Sequence, residues 1–313
     1  MMAIPKMHVA VTGGAGFIGS HSVEALLAEG AHVTVLDNFS TGNVANLPGS
    51  EAKLSLIEGD IRSTADVARA LRGVTHVLHL AAQVSVQASV EDPNASSSHN
   101  VVGFINVLDA ARRLGVRRFV YASSAAVYGL PQALPLNEQS ALAPISPYGL
   151  EKWIDERYAD LYSQLYDFQS LGLRYFNVYG PRQDAASPYA GVISKFAASL
   201  QSGGALRILG DGQQTRDFVF VGDVARLNLL ALTSGRQGIC NVGTGKSVTL
   251  VELIDTLEQV AGRKLERRFE PSVPGDIRAS AMSPERLIAW FGEAPSTPLI
   301  KGLSLLLAQS AVQ

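Results

Sequence analysis

The 313 residues contain a single cysteine, Cys240. That excludes an intrachain disulfide framework and a cysteine-ligated zinc cluster. Cys240 lies in the apolar run Gly238-Ile239-Cys240-Asn241-Val242 and reads as a small buried hydrophobe. An excess of charge of one sign is missing too. The chain carries 26 Lys and Arg against 28 Asp and Glu, a net charge of −2. This leaves no basic footprint for nucleic acid and no polybasic stretch for an anionic membrane, so neither partner is expected. No metal site is expected either. No segment approaches the roughly 20 apolar residues needed to span a bilayer. The N-terminal MMAIPKMHVAVTGG has no charged region followed by a long apolar stretch, so no secretory signal is read and the expected location is the cytoplasm.

What is present is an ordinary globular composition, 47% hydrophobic and 17% charged, enough to bury a sizeable core. Short apolar runs rich in Val, Leu and Ile occur at 7–12, 31–37, 54–58, 76–81 and 118–123. They read as buried parallel strands. Segments with helical spacing lie between them, at 20–29, 63–71 and 100–114. This alternation implies an α/β fold, a doubly wound parallel sheet with helices on both faces. After Pro181 the rhythm breaks and Gly and Pro become frequent. A smaller C-terminal α/β lobe is expected at 182–214 and 246–313. The main domain is expected at 1–181, with a returning segment at about 215–245.

The strongest local signal is Gly13-Gly14-Ala15-Gly16-Phe17-Ile18-Gly19, between an expected strand and an expected helix. Gly13 permits the tight turn, Gly16 lets the backbone approach a pyrophosphate, and Gly19 lets helix and strand pack closely. The helix N-terminus offers free N–H groups and partial positive charge to an anion. The second strand ends at Asp37, at a suitable distance to accept hydrogen bonds from an adenosine ribose. A carboxylate there repels a 2′-phosphate, which favours NAD over NADP. Asp60, after the third strand, is a candidate adenine contact, or else a turn aspartate.

Ser146-Pro147-Tyr148-Gly149-Leu150-Glu151-Lys152 reads as a helix start, with Ser146 as cap and Pro147 in the first turn. Tyr148 and Lys152, four apart, share one helix face. A free tyrosine, pKa about 10, is a poor base at neutral pH, and lowering it to about 7 takes roughly 4 kcal/mol. One cation about 4 Å away at an effective dielectric near 20 supplies about that much. Tyr148 is therefore a candidate general base. Ser123 and Ser124, in Ser123-Ser124-Ala125-Ala126-Val127-Tyr128-Gly129, sit at the C-terminal edge of a strand, where such sheets bind ligands.

Together with His79-Leu80-Ala81-Ala82-Gln83 and Arg174-Tyr175-Phe176-Asn177-Val178-Tyr179-Gly180-Pro181-Arg182, these motifs make nearly the whole chain resemble the extended short-chain dehydrogenase/reductases, in their nucleotide-sugar epimerase and dehydratase branch. The resemblance implies a Rossmann domain holding NAD. Its cofactor shell would be Gly13, Gly16, Phe17, Ile18, Gly19, Asp37, Asn38, Ser40, Thr41, Gly42, Asp60, Ile61, Leu80, Ala81, Ala82, Gln83, Asn100, Ala122, Tyr148, Lys152, Tyr175 and Val178. It implies Tyr148 as base, Lys152 on the nicotinamide ribose and Ser124 bridging the sugar hydroxyl to the phenol. Ser123 is the weaker hydroxyl, with backbone capping as its other reading. On the substrate side it implies Val86, Ser124, Tyr148, Asn177, Tyr189, Val192, Arg216, Asp276, Arg278 and Ser280. Arg216 would grip the diphosphate with its fork. Relatives often carry an arginine where this chain has Val273, and Arg278 is the candidate replacement. Ser280 stands where epimerases confined to unsubstituted hexoses often have a tyrosine, leaving room for an N-acetyl group. The helices at 100–114 and 148–166 would form a homodimer contact, as in relatives, unless their apolar residues are core.

Related dehydratases usually place an Asp-Glu pair directly after the Ser or Thr, and the decarboxylases a Glu. Here those positions hold Ala125 and Ala126, whose methyl groups cannot move protons. What is expected is reversible oxidation at sugar carbon 4, interconverting UDP-N-acetylglucosamine and UDP-N-acetylgalactosamine, and the glucose and galactose pair as well. A UDP-glucose-only epimerase, another nucleotide-sugar dehydratase or reductase, a simple alcohol dehydrogenase and a non-catalytic dinucleotide sensor are the alternatives. Product analysis after incubation with a nucleotide-activated hexose should find no stable 4-keto-6-deoxy sugar. Its accumulation would defeat the reading of Ala125 and Ala126.

Overall fold

The computed structural model describes residues 7–49, 52–184, 191–272 and 277–310. They fall into two compact units, one from 1–129, 141–175 and 224–240, the other from 130–140, 176–223 and 241–313. These bounds depart from those read in the sequence. Thr215–Phe220, expected to return to the main domain, instead pairs with Asn177–Tyr179 on one side and Ser247–Thr249 on the other. That three-stranded sheet belongs to the second unit, and only 224–240 goes back to the first.

The first unit is built on a seven-stranded sheet in the order Gly238–Val242, Ser170–Tyr175, Arg118–Ser124, His76–His79, His8–Thr12, His32–Asp37, Leu54–Glu58. The recorded pairings within it are parallel. Strand order reverses between His8–Thr12 and His76–His79, which is where an open α/β sheet forms its ligand crevice. Apolar runs such as Val9-Ala10-Val11 are buried because helices cover both faces of a parallel sheet. Ser170–Tyr175, entirely buried and without a separate sequence signal, adds a strand beyond the expected five.

Between sheet and helices lies an aromatic cluster. Phe104 sits edge-on to Tyr121 at 5.2 Å and to Phe119 at 5.8 Å, and His79 packs 5.5 Å from it. Phe104 and Leu108, on the first of the two helices expected to form a dimer contact, are fully buried, whereas Leu161 and Leu165, on the second, are exposed. The helix carrying Phe104, Gly103–Arg113, is preceded by a π-helical turn at Ser98–Val102. Such turns are uncommon and concentrate at functional sites.

The second unit has its own core, in which Ile193, Phe196, Leu206, Ile208, Leu253 and Leu303 are buried. Its helix Leu250–Ala261 starts with a capping box between Thr249 and Glu252. No helix among the described residues is long and apolar enough to cross a membrane. Phe104→Ala should lower stability by about 3–5 kcal/mol through lost burial and a residual cavity. Urea unfolding checks this, and an unchanged midpoint would contradict the placement of that ring.

Candidate active site

The glycine loop joins the strand His8–Thr12 to the helix Phe17–Ala28. Gly13 has φ +69°, and a Cβ there would lie 2.7 Å from the Ala81 backbone nitrogen. A Cβ on Gly19 would lie 2.0 Å from the Gly13 carbonyl oxygen. Side chains are thus sterically barred from this cradle. Gly16 caps the helix without a side chain, and the first turn holds no acid. The helix end is left as a ready anion site. Asp37, 7% exposed, accepts from Ala15 N and Phe39 N, each at 2.9 Å. A carboxylate has lone pairs beyond those two bonds for ribose hydroxyls. The residues present therefore fit a dinucleotide with an unphosphorylated ribose.

Around Asp37, Asn38 donates to Asp60 at 3.0 Å, and Arg62 binds both Asp60 oxygens at 2.9 and 2.7 Å. The Arg62 fork, backed by Asn38, holds the Asp60 carboxyl well below the usual carboxylate range. Asp60 is a structural hub first, and an adenine contact would have to share it. Ser40 and Thr41 are exposed, Gly42 is partly buried, and a Cβ on Gly42 would meet Asp37 at 2.8 Å. Ile61 is buried.

Opposite the glycine loop, the partly buried Leu80–Gln83 segment follows the strand His76–His79 and is tied down twice. His79 bonds Thr12 Oγ1 at 2.8 Å, and that oxygen accepts from Ala81 N at 3.3 Å. Burial, with the Lys152 charge behind it, pushes the His79 imidazole down to about 3, so it stays neutral. Asn100, in the π-helical turn, accepts from Gln83 N at 2.8 Å and donates to Gln83 O at 2.9 Å and to Glu151 Oε2 at 2.6 Å. Its role is to lock the loop onto the next helix.

That helix, Pro147–Tyr166, begins where Ser146 Oγ accepts from Gly149 N at 3.1 Å. Ser89 Oγ accepts from Tyr148 N at 3.1 Å. A Cβ on Gly149 would come within 2.7 Å of the Ala126 carbonyl oxygen, so glycine permits the close approach of this helix to the serine loop. Tyr148 is partly exposed, while Lys152, one turn on, is 3% exposed. Burial opposes the Lys152 charge. The Asp155 carboxylate 3.2 Å away, the Tyr148 phenol and Glu151 outweigh it and hold the ammonium above the usual lysine value.

Of the two serines, Ser123 is buried and donates to Glu156 Oε1 at 2.5 Å, while Glu156 also takes a bidentate Arg174 at 2.7 Å on both bonds. Ser124 is partly exposed, and its Oγ accepts from Ala126 N at 3.1 Å. The weaker of the two candidates is thus committed to a buried ion pair. Ala122, one residue earlier, is partly buried. Tyr175 is buried, and its phenol donates to Asn228 Oδ1 at 2.7 Å, while Asn228 Nδ2 donates to Ser22 Oγ at 3.0 Å. Val86, 47% exposed, opens the helix Val86–Glu91. Glu151, Asp155 and Glu156 carry no role in the sequence reading. Their spacing around Lys152 on one helix face was the available signal.

In the second unit, Asn177 donates to Asp217 O at 3.2 Å, and Val178 and Val192 are partly buried. Arg216 Nη1 donates to Thr215 O at 2.9 Å and Ile277 O at 2.6 Å. Arg278 is exposed, with its fork on Asp211 at 2.7 and 2.8 Å. For it to take a phosphate, Asp211 must share or release it. Ser280 is 8% exposed, and its carbonyl accepts from Ser247 Oγ. Tyr189 and Asp276 lie outside the described residues, as does Val273.

The model of the NAD-dependent epimerase/dehydratase family matches residues 9–243. A UDP-glucose 4-epimerase of Mycolicibacterium smegmatis is 39% identical over 305 residues, covering 95% of this chain and 96% of the relative. Among solved structures, UDP-N-acetylglucosamine 4-epimerase from Methanobrevibacter ruminantium, in complex with UDP-N-acetylmuramic acid, superimposes with TM-score 0.96 at 35% identity, covering 99% of this chain and all of that one. Thermus thermophilus UDP-glucose 4-epimerase in complex with NAD gives TM-score 0.89 at 41% identity, covering 96% of this chain and 98% of that one. Motifs spread along the chain, a cradle fitted to NAD and these likenesses agree: the chain belongs to the NAD-dependent epimerase/dehydratase family and is an NAD-dependent nucleotide-sugar epimerase.

Proposed function

We propose that the protein is a UDP-N-acetylglucosamine 4-epimerase that also turns over the unsubstituted UDP-hexoses. The observation that carries the substrate preference is Ser280, a small and nearly buried side chain at the position where, by the resemblance, epimerases confined to unsubstituted hexoses often carry a tyrosine. The likeness to the Methanobrevibacter ruminantium enzyme supports the same reading.

The glycine cradle and Asp37 would hold NAD, which would supply a reversible hydride acceptor for carbon 4 and return the same hydride to it. The remaining work belongs to the chain. Tyr148 takes the proton of the 4-hydroxyl, with Ser124 bridging the two oxygens, and Lys152 provides the positive charge that favours the phenolate. The 4-keto sugar then turns about its phosphate linkage, is reduced on its other face and recovers its proton from Tyr148. Retention of the keto sugar depends on a firm grip on UDP, which falls to Arg216 and Arg278, with Asn177 and Asp276 assisting. On this reading the enzyme works in the cytoplasm as a homodimer, with exposed Leu161 and Leu165 meeting a second copy.

Tyr148→Phe should lower kcat by about 10²- to 10⁴-fold while NAD stays bound. Interconversion at undiminished rate would rule out the phenol as base. Ser280→Tyr should reduce turnover of the acetylated pair by about 10- to 100-fold and spare the glucose–galactose pair. An equal effect on both pairs would remove Ser280 as the selector.

A further inference from the structure

One face of the helix Pro147–Tyr166 buries Glu151, Lys152, Asp155 and Glu156, all at or below 5% exposure. With Arg174 from the neighbouring strand, two cations face three carboxyls in a region closed to water. Two of the acids are well provided for. Glu156 has Arg174 and Ser123, and Glu151 accepts from Ser96 Oγ at 2.8 Å and from Asn100. Asp155 is not. It is fully buried, one oxygen reaches Lys152 Nζ at 3.2 Å, and the other, Oδ1, has no hydrogen-bond partner among the described residues.

We propose that Asp155 is a positioning residue of the reaction, a buried carboxyl that damps the Lys152 ammonium when ionised and frees its full charge when it takes a proton. The inference rests on the epimerase reading, in which Lys152 serves Tyr148. Geometry supplies the means. An orphaned oxygen in a dry site has no donor to hold its negative charge, so a proton can settle there. The groups facing the pair are Glu151 and Glu156 on the same helix, Tyr121 from the strand Arg118–Ser124, and His79 from the strand His76–His79. The two acids oppose ionisation of Asp155, and His79 stays neutral. Burial pushes the Asp155 carboxyl up to about 7, against the pull of Lys152. The proton is therefore present below neutrality and leaves as pH rises through that value.

The sequence context separates this device from the Tyr–Lys pair itself. Three residues after the lysine, an acid shares its face, and nothing in the Tyr148–Lys152 chemistry requires one. Because the proton on Asp155 sets the charge that Lys152 presents to the site, the acid limb of kcat/KM should spread over more pH units than a single group gives.

The test compares Asp155→Asn with the parent holoenzyme, using UDP-glucose across the pH range. The amide keeps the hydrogen bond to Lys152 but cannot ionise. The acid limb should become that of one proton and move down by about one pH unit. Superimposable limbs would overturn the proposal. Infrared difference spectra of the parent holoenzyme provide a second reading that needs neither activity nor a folded variant. A buried protonated-carboxyl band should fade as pH is raised through neutrality, and its absence would also overturn the proposal. Should the parent fail to interconvert UDP-hexoses, the epimerase reading fails, while the infrared titration still judges Asp155.

Discussion

A lysine ammonium held almost entirely out of water is the constraint on which the catalytic unit is organised. Burying an unpaired charge costs several kcal/mol, so Lys152 requires partners. Asp155 and the phenol of Tyr148 supply them from the same helix, each within one turn of the lysine. The helix itself is then pinned by its other acids, through Glu151 to Asn100 and Ser96 and through Glu156 to Arg174 and Ser123. A helix tethered in both its second and third turns cannot slide, which is what a proton transfer to a fixed oxygen requires. The same hydrogen bonds reach the cofactor loop, because Asn100 also clamps Gln83. Site and fold thus share one network.

Much of this was legible in the sequence because the chemistry demands particular residue types at short spacings. Gly13 and Gly19 cannot be replaced where a Cβ would strike backbone, and a Cβ on Gly16 would crowd the Gly13 carbonyl, so the cradle announces itself. Asp37 closes a buried strand, and Tyr148 and Lys152 follow helix periodicity. Four of the five runs were visible as strands because parallel strands are covered on both sides, whereas Leu54–Glu58, expected to be buried, lies at the sheet edge and is largely exposed. The strand Ser170–Tyr175 was not visible, since Ser, Gly and Arg interrupt its hydrophobic run and the buried Arg174 is explained only by distant partners, Glu156 and Tyr128.

What escaped reading depends on contacts distant in sequence. Asn100 meets Glu151 across 51 positions, and no local pattern foretells it. The engagement of Ser123 by Glu156 likewise spans 33 positions. The bounds read at 215–223 differ from the structure for the same reason: nothing local in Thr215–Phe220 names its partners, Asn177–Tyr179 and Ser247–Thr249. Arg278 was read as the candidate replacement for a phosphate-binding arginine, and the bidentate hold it has on Asp211, 67 residues away, has no sequence signature.

The claim beneath all of this is that inversion at carbon 4 proceeds by oxidation and reduction, with the phenol of Tyr148 moving only the hydroxyl proton. The most direct measurement uses a UDP-hexose deuterated at carbon 4, epimerised in ordinary water, with the product analysed by mass spectrometry. Full retention of deuterium in the epimer is expected, since the carbon-bound hydrogen never reaches solvent. Loss of the label to water would mean that a proton, not a hydride, leaves carbon 4, and would contradict the assignment of these residues.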